Sequence, residues 1–158
     1  MIRNYSMIDV CADRNEKLEA ILGEAATWAL RKFTDQDINV SIEVVAETAK
    51  NAEGVCHIDE NGFEIELVMK DKLKDMIVTL MHEMVHVKQY ALGELELDKL
   101  ILNENGLSVC RLWHGEEVYP DEIDYFDLPW EIEAFGREHG MMVQWARQTN
   151  LLDIEEIF

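Results

Sequence analysis

His82-Glu83-Met84-Val85-His86 is the run in this chain whose residue types and spacing are those of a reaction centre. On a helix, residues four apart project from one face, one turn above the other, so the two imidazoles can close on a single metal ion. Glu83 lies about 100° further round the helix, where it addresses a metal-bound water rather than the metal. Zinc (Zn2+) suits this donor set, because neutral imidazoles and a carboxylate match its borderline character and tetrahedral preference. The plainer alternative is a solvated helix that happens to carry two ordinary histidines.

The flanking sequence argues against that alternative. From Asp71 to about Gly93 the chain reads as one helix, with Gly93 as its C-terminal stop. Leu73, Met76, Ile77, Leu80, Met84 and Val87 recur at helical spacing, so one side of this helix must be buried. His82 and His86 share a side with Thr79 and Gln89. A pair of ligands on a packed helix is held more rigidly than a pair on a loop.

Two histidines leave a catalytic zinc one protein ligand short. The downstream candidates are His114, Glu131, Glu133, Glu138 and His139. The segment Pro129 to about Thr149 reads as a closing helix with proline in its first turn, where proline is tolerated. On a helical wheel, Glu131 falls inside an apolar arc of Trp130, Ala134, Phe135, Met141, Met142, Trp145 and Ala146, with Glu138 almost in line two turns on. A carboxylate inside a buried stripe must be paired or bound to metal, since burying it alone is costly. Glu131 is therefore the expected third ligand and Glu138 a carboxylate that orients a ligand histidine. The alternative for Glu131 is a salt bridge or a favourable place at the helix N-terminus. Glu133 falls opposite, with Arg137 and Arg147, and is expected on a solvated face. His139 is expected to be partly buried. His114 is the rival third ligand, or a residue on the substrate side, and His57 is expected to be structural.

Other elements follow from periodicity and turn chemistry. Residues 16–32 give an opening helix, and 38–46 alternate as a strand. Residues 55–59 and 63–69 flank Asn61-Gly62, a hairpin signal because that pair accepts positive φ. Residues 94–118 are less regular, with a strand expected over 108–113 and a turn at His114-Gly115. The tail Leu151–Phe158 is amphipathic and is expected either to pack or to fray. These elements describe an α+β fold over residues 1–158 as a single domain: N-terminal helix, small mostly antiparallel sheet, metal helix, C-terminal glutamate helix.

Composition narrows the class. The chain of 158 residues is long enough for one substantial core. Thirty-three acidic residues against fourteen basic ones give a formal charge of −19. That surface repels phosphate backbones, so direct nucleic-acid binding is not expected; the charge either favours basic polypeptides as partners or serves solubility alone. The three cysteines, Cys11, Cys56 and Cys110, are scattered and odd in number, which argues for buried reduced thiols rather than disulfides. With neither a signal-like start nor a membrane-length apolar run, a cytoplasmic location without membrane contact is expected.

The metal motif together with Trp130-Glu131-Ile132-Glu133-Ala134-Phe135 resembles the gluzincin kind of zincin metallopeptidase, and within it the E-x-E-A segment of the ImmA/IrrE-like group. His86-Val87-Lys88-Gln89-Tyr90 is also similar to SprT-like proteins, which supply a third histidine instead. The aspartate or asparagine that usually follows the alanine is Phe135 here, so its supporting role falls elsewhere. The resemblance implies a zincin-like fold, peptide-bond hydrolysis with Glu83 as the base, and a cleft-bordering strand that binds substrate by β-addition. Phe63–Val68 is the expected edge strand, its Glu64 and Glu66 favouring basic peptides. Tyr119, Tyr125, His114 and Tyr90 are the available oxyanion donors, and the sequence does not choose between them. A rival from another class is a non-catalytic, zinc-stabilised acidic protein that binds a basic or DNA-binding partner. The intact Glu83 argues against it, since a structural site gains nothing from a base beside the metal.

Overall fold

The computed structural model describes residues 8–104 and 106–150. The architecture is α+β, with three α-helices and two small sheets among the described residues. The first sheet holds β1 (Ile8–Cys11), β2 (Val40–Val45), β3 (Gly54–Asp59) and β4 (Gly62–Val68) in the order β1-β2-β4-β3. The second is formed by β5 (Leu95–Asn103), β6 (Gly106–Trp113) and β7 (Glu116–Val118). The helices are α1 (Glu16–Phe33), α2 (Leu73–Ala91) and α3 (Pro129–Thr149). The tail Leu151–Phe158 lies outside the described residues.

Three expectations about the sheet need correcting. The first sheet is mostly parallel: β1 and β4 both run parallel to β2, and only β3 is antiparallel, to β4. The reason is the crossover through α1, which returns the chain to the same end of the sheet before β2 begins. Phe63–Val68 is consequently an interior strand with partners on both sides, and the edge strand packed against α2 is β3. Glu64 and Glu66 therefore do not line a cleft-bordering edge. Their register partners on β3 are His57 and Val55. His57 is exposed on β3, with Nε2 3.3 Å from a Glu66 oxygen.

Local chemistry explains the element boundaries. Gly62 opens β4 at φ 139°, and a Cβ there would stand 2.4 Å from the Asn39 carbonyl oxygen. Only glycine lets β4 begin that close to the entry of β2. At the far end of α2 the Gly93 N–H donates to the Tyr90 carbonyl and the Glu94 N–H to the Gln89 carbonyl, with Gly93 at φ 72°. This paired closure satisfies carbonyls that would otherwise be orphaned and turns the chain sharply into β5.

α2 is the centre of the molecule. Every residue from Thr79 to Gln89 is buried, so the helix is enclosed on both sides rather than on one. α1 meets it with Leu22 and with Ala25, Ala26 and Ala29, and the small alanines let the two backbones approach closely. Ile42, Ile65 and Leu67 of the first sheet and Met142 and Trp145 of α3 complete the core. Enclosure of this kind fixes the rotation of α2, and with it the direction of His82 and His86. No helix among the described residues is long and apolar enough to cross a membrane.

Candidate metal centre

The first turn of α3 delivers a carboxylate to the two histidines of α2. Pro129 occupies the first helical position and Glu131 the third, buried at 6% exposure. Glu131 Oε2 lies 3.1 Å from His82 Nε2, Glu131 Oε1 lies 3.2 Å from His86 Nε2, and the two Nε2 atoms are 3.2 Å apart. Ligands held ~2.0–2.1 Å from a tetrahedral zinc are separated by about 3.3 Å, so these spacings are those of a tetrahedron's edge. His82, His86 and Glu131 form the one His/Cys/Asp/Glu group with metal-holding geometry among the described residues.

Protonation strengthens the case for a cation. His82 Nδ1 lies 2.8 Å from Glu138 Oε2, and His86 Nδ1 lies 2.9 Å from Gln89 Oε1. Gln89 must turn its oxygen to His86, because its amide nitrogen donates to the Trp130 carbonyl and to Glu133 Oε1, both at 2.9 Å. Each imidazole thus donates from Nδ1, and in its neutral form presents a lone pair from Nε2. Two lone pairs and a carboxylate then converge with no donor among them, an arrangement that calls for a cation. When no metal is bound, protons serve instead. Burial opposes charge on His82, but the carboxylates of Glu131 and Glu138 outweigh it and raise its pKa to about 9. His86 is likewise raised, against its burial, by Glu131. Burial alone would raise Glu131, yet its contacts with the two histidines hold it at about 2.

Glu83 stands beside this cluster and outside it. It is 5% exposed, and burial raises its pKa while the neighbouring histidines pull the other way. Gly54, the first residue of β3, forms its roof: a Cβ there would stand 3.0 Å from Glu83 Oε1 and 2.8 Å from Thr79 Cγ2. Two cavities open on the site. One, of about 530 Å³, is bounded by Glu53, Asp75, Thr79, Phe135 and Glu138. The other, of about 460 Å³, is bounded by Lys50, Tyr90, Arg111 and Trp130. His82, Glu83 and Tyr125 border both.

The remaining candidates are placed as follows. Glu133 is not on a solvated face: it is half-buried, accepting from Lys88 at 2.7 Å, Gln89 at 2.9 Å and Arg137 at 3.1 Å. The wheel missed this because Lys88 is itself buried on α2, where it pairs with both Glu133 and Glu94. His114 sits exposed in the β6–β7 turn at φ 49°, and Tyr119 donates its hydroxyl to Glu117 at 2.8 Å. Neither borders the two cavities. Tyr125 borders both and Tyr90 the second, and burial followed by the nearby Glu131 pushes the Tyr125 phenol up. His139 is exposed rather than partly buried, and Cys11 is exposed, while Cys56 is half-buried and Cys110 buried. Phe135 is 41% exposed and packs its ring edge-on to His82, with centroids 4.5 Å apart. Gln89 had no expected role, although its i+3 spacing from His86 is the signal that the two side chains meet. Gly54 carried no signal, since its contact is made across the fold.

No family model, no curated protein and no solved structure matches this chain.

Proposed function

We propose that this chain is a zinc-dependent metallopeptidase of the gluzincin kind, with His82, His86 and Glu131 as metal ligands and Glu83 as general base. The observation that carries the reading is the convergence of two Nε2 lone pairs and a carboxylate at tetrahedral-edge spacing beside a buried, separate carboxylate. When bound, zinc supplies a Lewis acid that makes water a nucleophile near neutral pH and polarises a carbonyl. Glu83 takes the proton from the attacking water and returns it to the departing amine, a role its burial-raised pKa suits. Glu138 and Gln89 hold the two imidazoles in the tautomer that offers Nε2 to the metal. Tyr125, at the border of both cavities, is the donor best placed to meet negative charge on the substrate oxygen. The exposed edge of β3 runs past Glu83 and offers backbone hydrogen bonds to an extended peptide.

The test combines metal content with turnover. Protein purified without chelator should carry one zinc per chain and cleave a mixed-sequence peptide library. Chelation should stop cleavage, zinc should restore it, and Glu83→Gln should retain zinc without cleaving. A zinc-loaded wild type that leaves the library intact would favour the non-catalytic reading.

A further inference from the structure

The two cavities beside Glu83 differ in charge, and the difference runs against the character of the chain. The cavity on the Thr79 side is acidic, bordered by Glu53, Asp75 and Glu138, and its one cation, Lys70, is paired with Glu53. The cavity on the Trp130 side carries Lys50 and Arg111, and its carboxylates, Glu83 and Glu131, are both members of the metal site. In a chain with fourteen basic residues against thirty-three acidic ones, two cations in one lobe of the cleft require a reason.

Arg111 is built into place. It sits on β6, the middle strand of the second sheet, and its guanidinium carbon stands 5.4 Å from the centre of the Trp130 ring. Trp130 is buried and directly precedes the ligand Glu131. The β5 register slips between Glu96 and Lys99, and this irregularity carries Asp98, which binds Arg111 at Nε. Bulges of this sort re-aim side chains beside reaction centres. Stacked on one face and held at Nε, the guanidinium has no partner on its outer pair of nitrogens among the described residues and keeps them for a ligand, in the fork geometry that matches a carboxylate.

We infer that Arg111, assisted by Lys50, binds a carboxylate of the substrate in the cavity on the Trp130 side of the metal centre. The inference rests on the peptidase reading for what the cleft holds and goes beyond it by naming the substrate's chemistry. The carboxylate belongs either to an acidic side chain near the scissile bond or to the C-terminus of the peptide. This reverses the preference for basic peptides that the net charge suggests. It assigns the local lobe, not the long-range field, the task of selecting the substrate.

Binding to zinc-loaded Glu83→Gln protein tests this without turnover. Three N-acetylated alanine heptapeptides serve as probes: one amidated with a central aspartate, one amidated with a central asparagine, and one all-alanine with a free C-terminus. One of the two carboxylate peptides should bind about tenfold more tightly than the neutral one. Which one does so identifies the source of the carboxylate. Adding Arg111→Gln should remove the preference, and adding Lys50→Gln should reduce it. Lys50 is exposed, so its variant remains informative even where loss of Arg111 unsettles the second sheet. Equal binding of the three peptides, undetectable binding of all, or a preference that survives both substitutions overturns the inference. A carboxylate preference in a wild type that cleaves none of the probes faults the peptidase reading and leaves this site standing.

Discussion

Gly54 and Glu83 meet so closely that no methyl group fits between them: a Cβ on Gly54 would stand 3.0 Å from Glu83 Oε1. The edge strand of the first sheet therefore forms one wall of the pocket that holds the proposed base, and on that side backbone rather than a side chain packs against it. Gly54→Ala should push Glu83 aside while leaving the three metal ligands in place. Misplacement of a reacting group by about an ångström costs roughly a hundredfold, and the smaller shift needed here should lower cleavage by about tenfold while zinc content is unchanged. Cleavage within threefold of wild type would show that Glu83 does not depend on this contact.

Gln89, itself buried, makes three hydrogen bonds, to His86, Trp130 and Glu133. Gln89→Leu leaves the ring of His86 free to turn and strands the Trp130 carbonyl. Zinc affinity should fall by about 10- to 100-fold, and stability by about 1–3 kcal/mol. Competition with a chromophoric chelator and denaturant titration measure the two separately. Unaltered zinc affinity would mean that packing alone orients His86.

Glu131→Ala and Glu133→Ala should fail differently. The first removes a proposed ligand and should abolish stoichiometric zinc binding. The second leaves Lys88, 7% exposed, with Glu94 as its remaining ion partner and takes an acceptor from Gln89. Its thermal midpoint should drop by the equivalent of about 1–3 kcal/mol, with zinc still bound at one per chain. Side-by-side melting and elemental analysis decide the matter, and loss of zinc in both variants would place Glu133 among the ligands.

The metal-free protein should show a stability maximum in mildly acidic solution from this cluster. His82 is raised to about 9, so its contribution is complete below its ordinary value near 6.5 and is lost as pH rises through about 9. Glu131 is lowered to about 2, so its contribution is complete above its ordinary range and is lost as pH falls through about 2. Both are present between about pH 5 and 6. Zinc displaces the histidine protons, so its apparent affinity should climb with pH up to about 9. Melting curves with and without zinc across that range test both slopes. A metal-free midpoint that increases from pH 6 to 9 in wild type and in His82→Asn alike would remove His82 from the account.

The elements with strong periodicity were legible in the sequence. α1, α2 and α3 came within a few residues of their ends, since each carries a continuous apolar stripe and α3 carries proline at its start. β1 was missed because four residues are too few for alternation to register. β5 was missed because its register slips between Glu96 and Lys99, breaking the period of Leu95, Leu97 and Leu100. The site divides in the same way. Glu131 and Glu138 follow from one helical wheel, because both lie on a single element. Glu133, Gly54 and Arg111 owe their surroundings to other elements, and a wheel drawn for one helix carries no information about a buried lysine on another.

His82 and Glu131 are separated by 49 positions, and all of β5, β6 and β7 lies between them. A metal joining α2 to α3 therefore closes a loop around the entire second sheet, much as a covalent crosslink would. As the chain is made, both histidines emerge long before the glutamate that completes their site. Until α3 has docked, neither the tetrahedral pocket nor the wall made by Trp130 exists. Under the proposed reading, bond-breaking capacity is withheld from the unfinished chain by the order of its own segments, because the site is assembled only when nearly all of the described fold is in place.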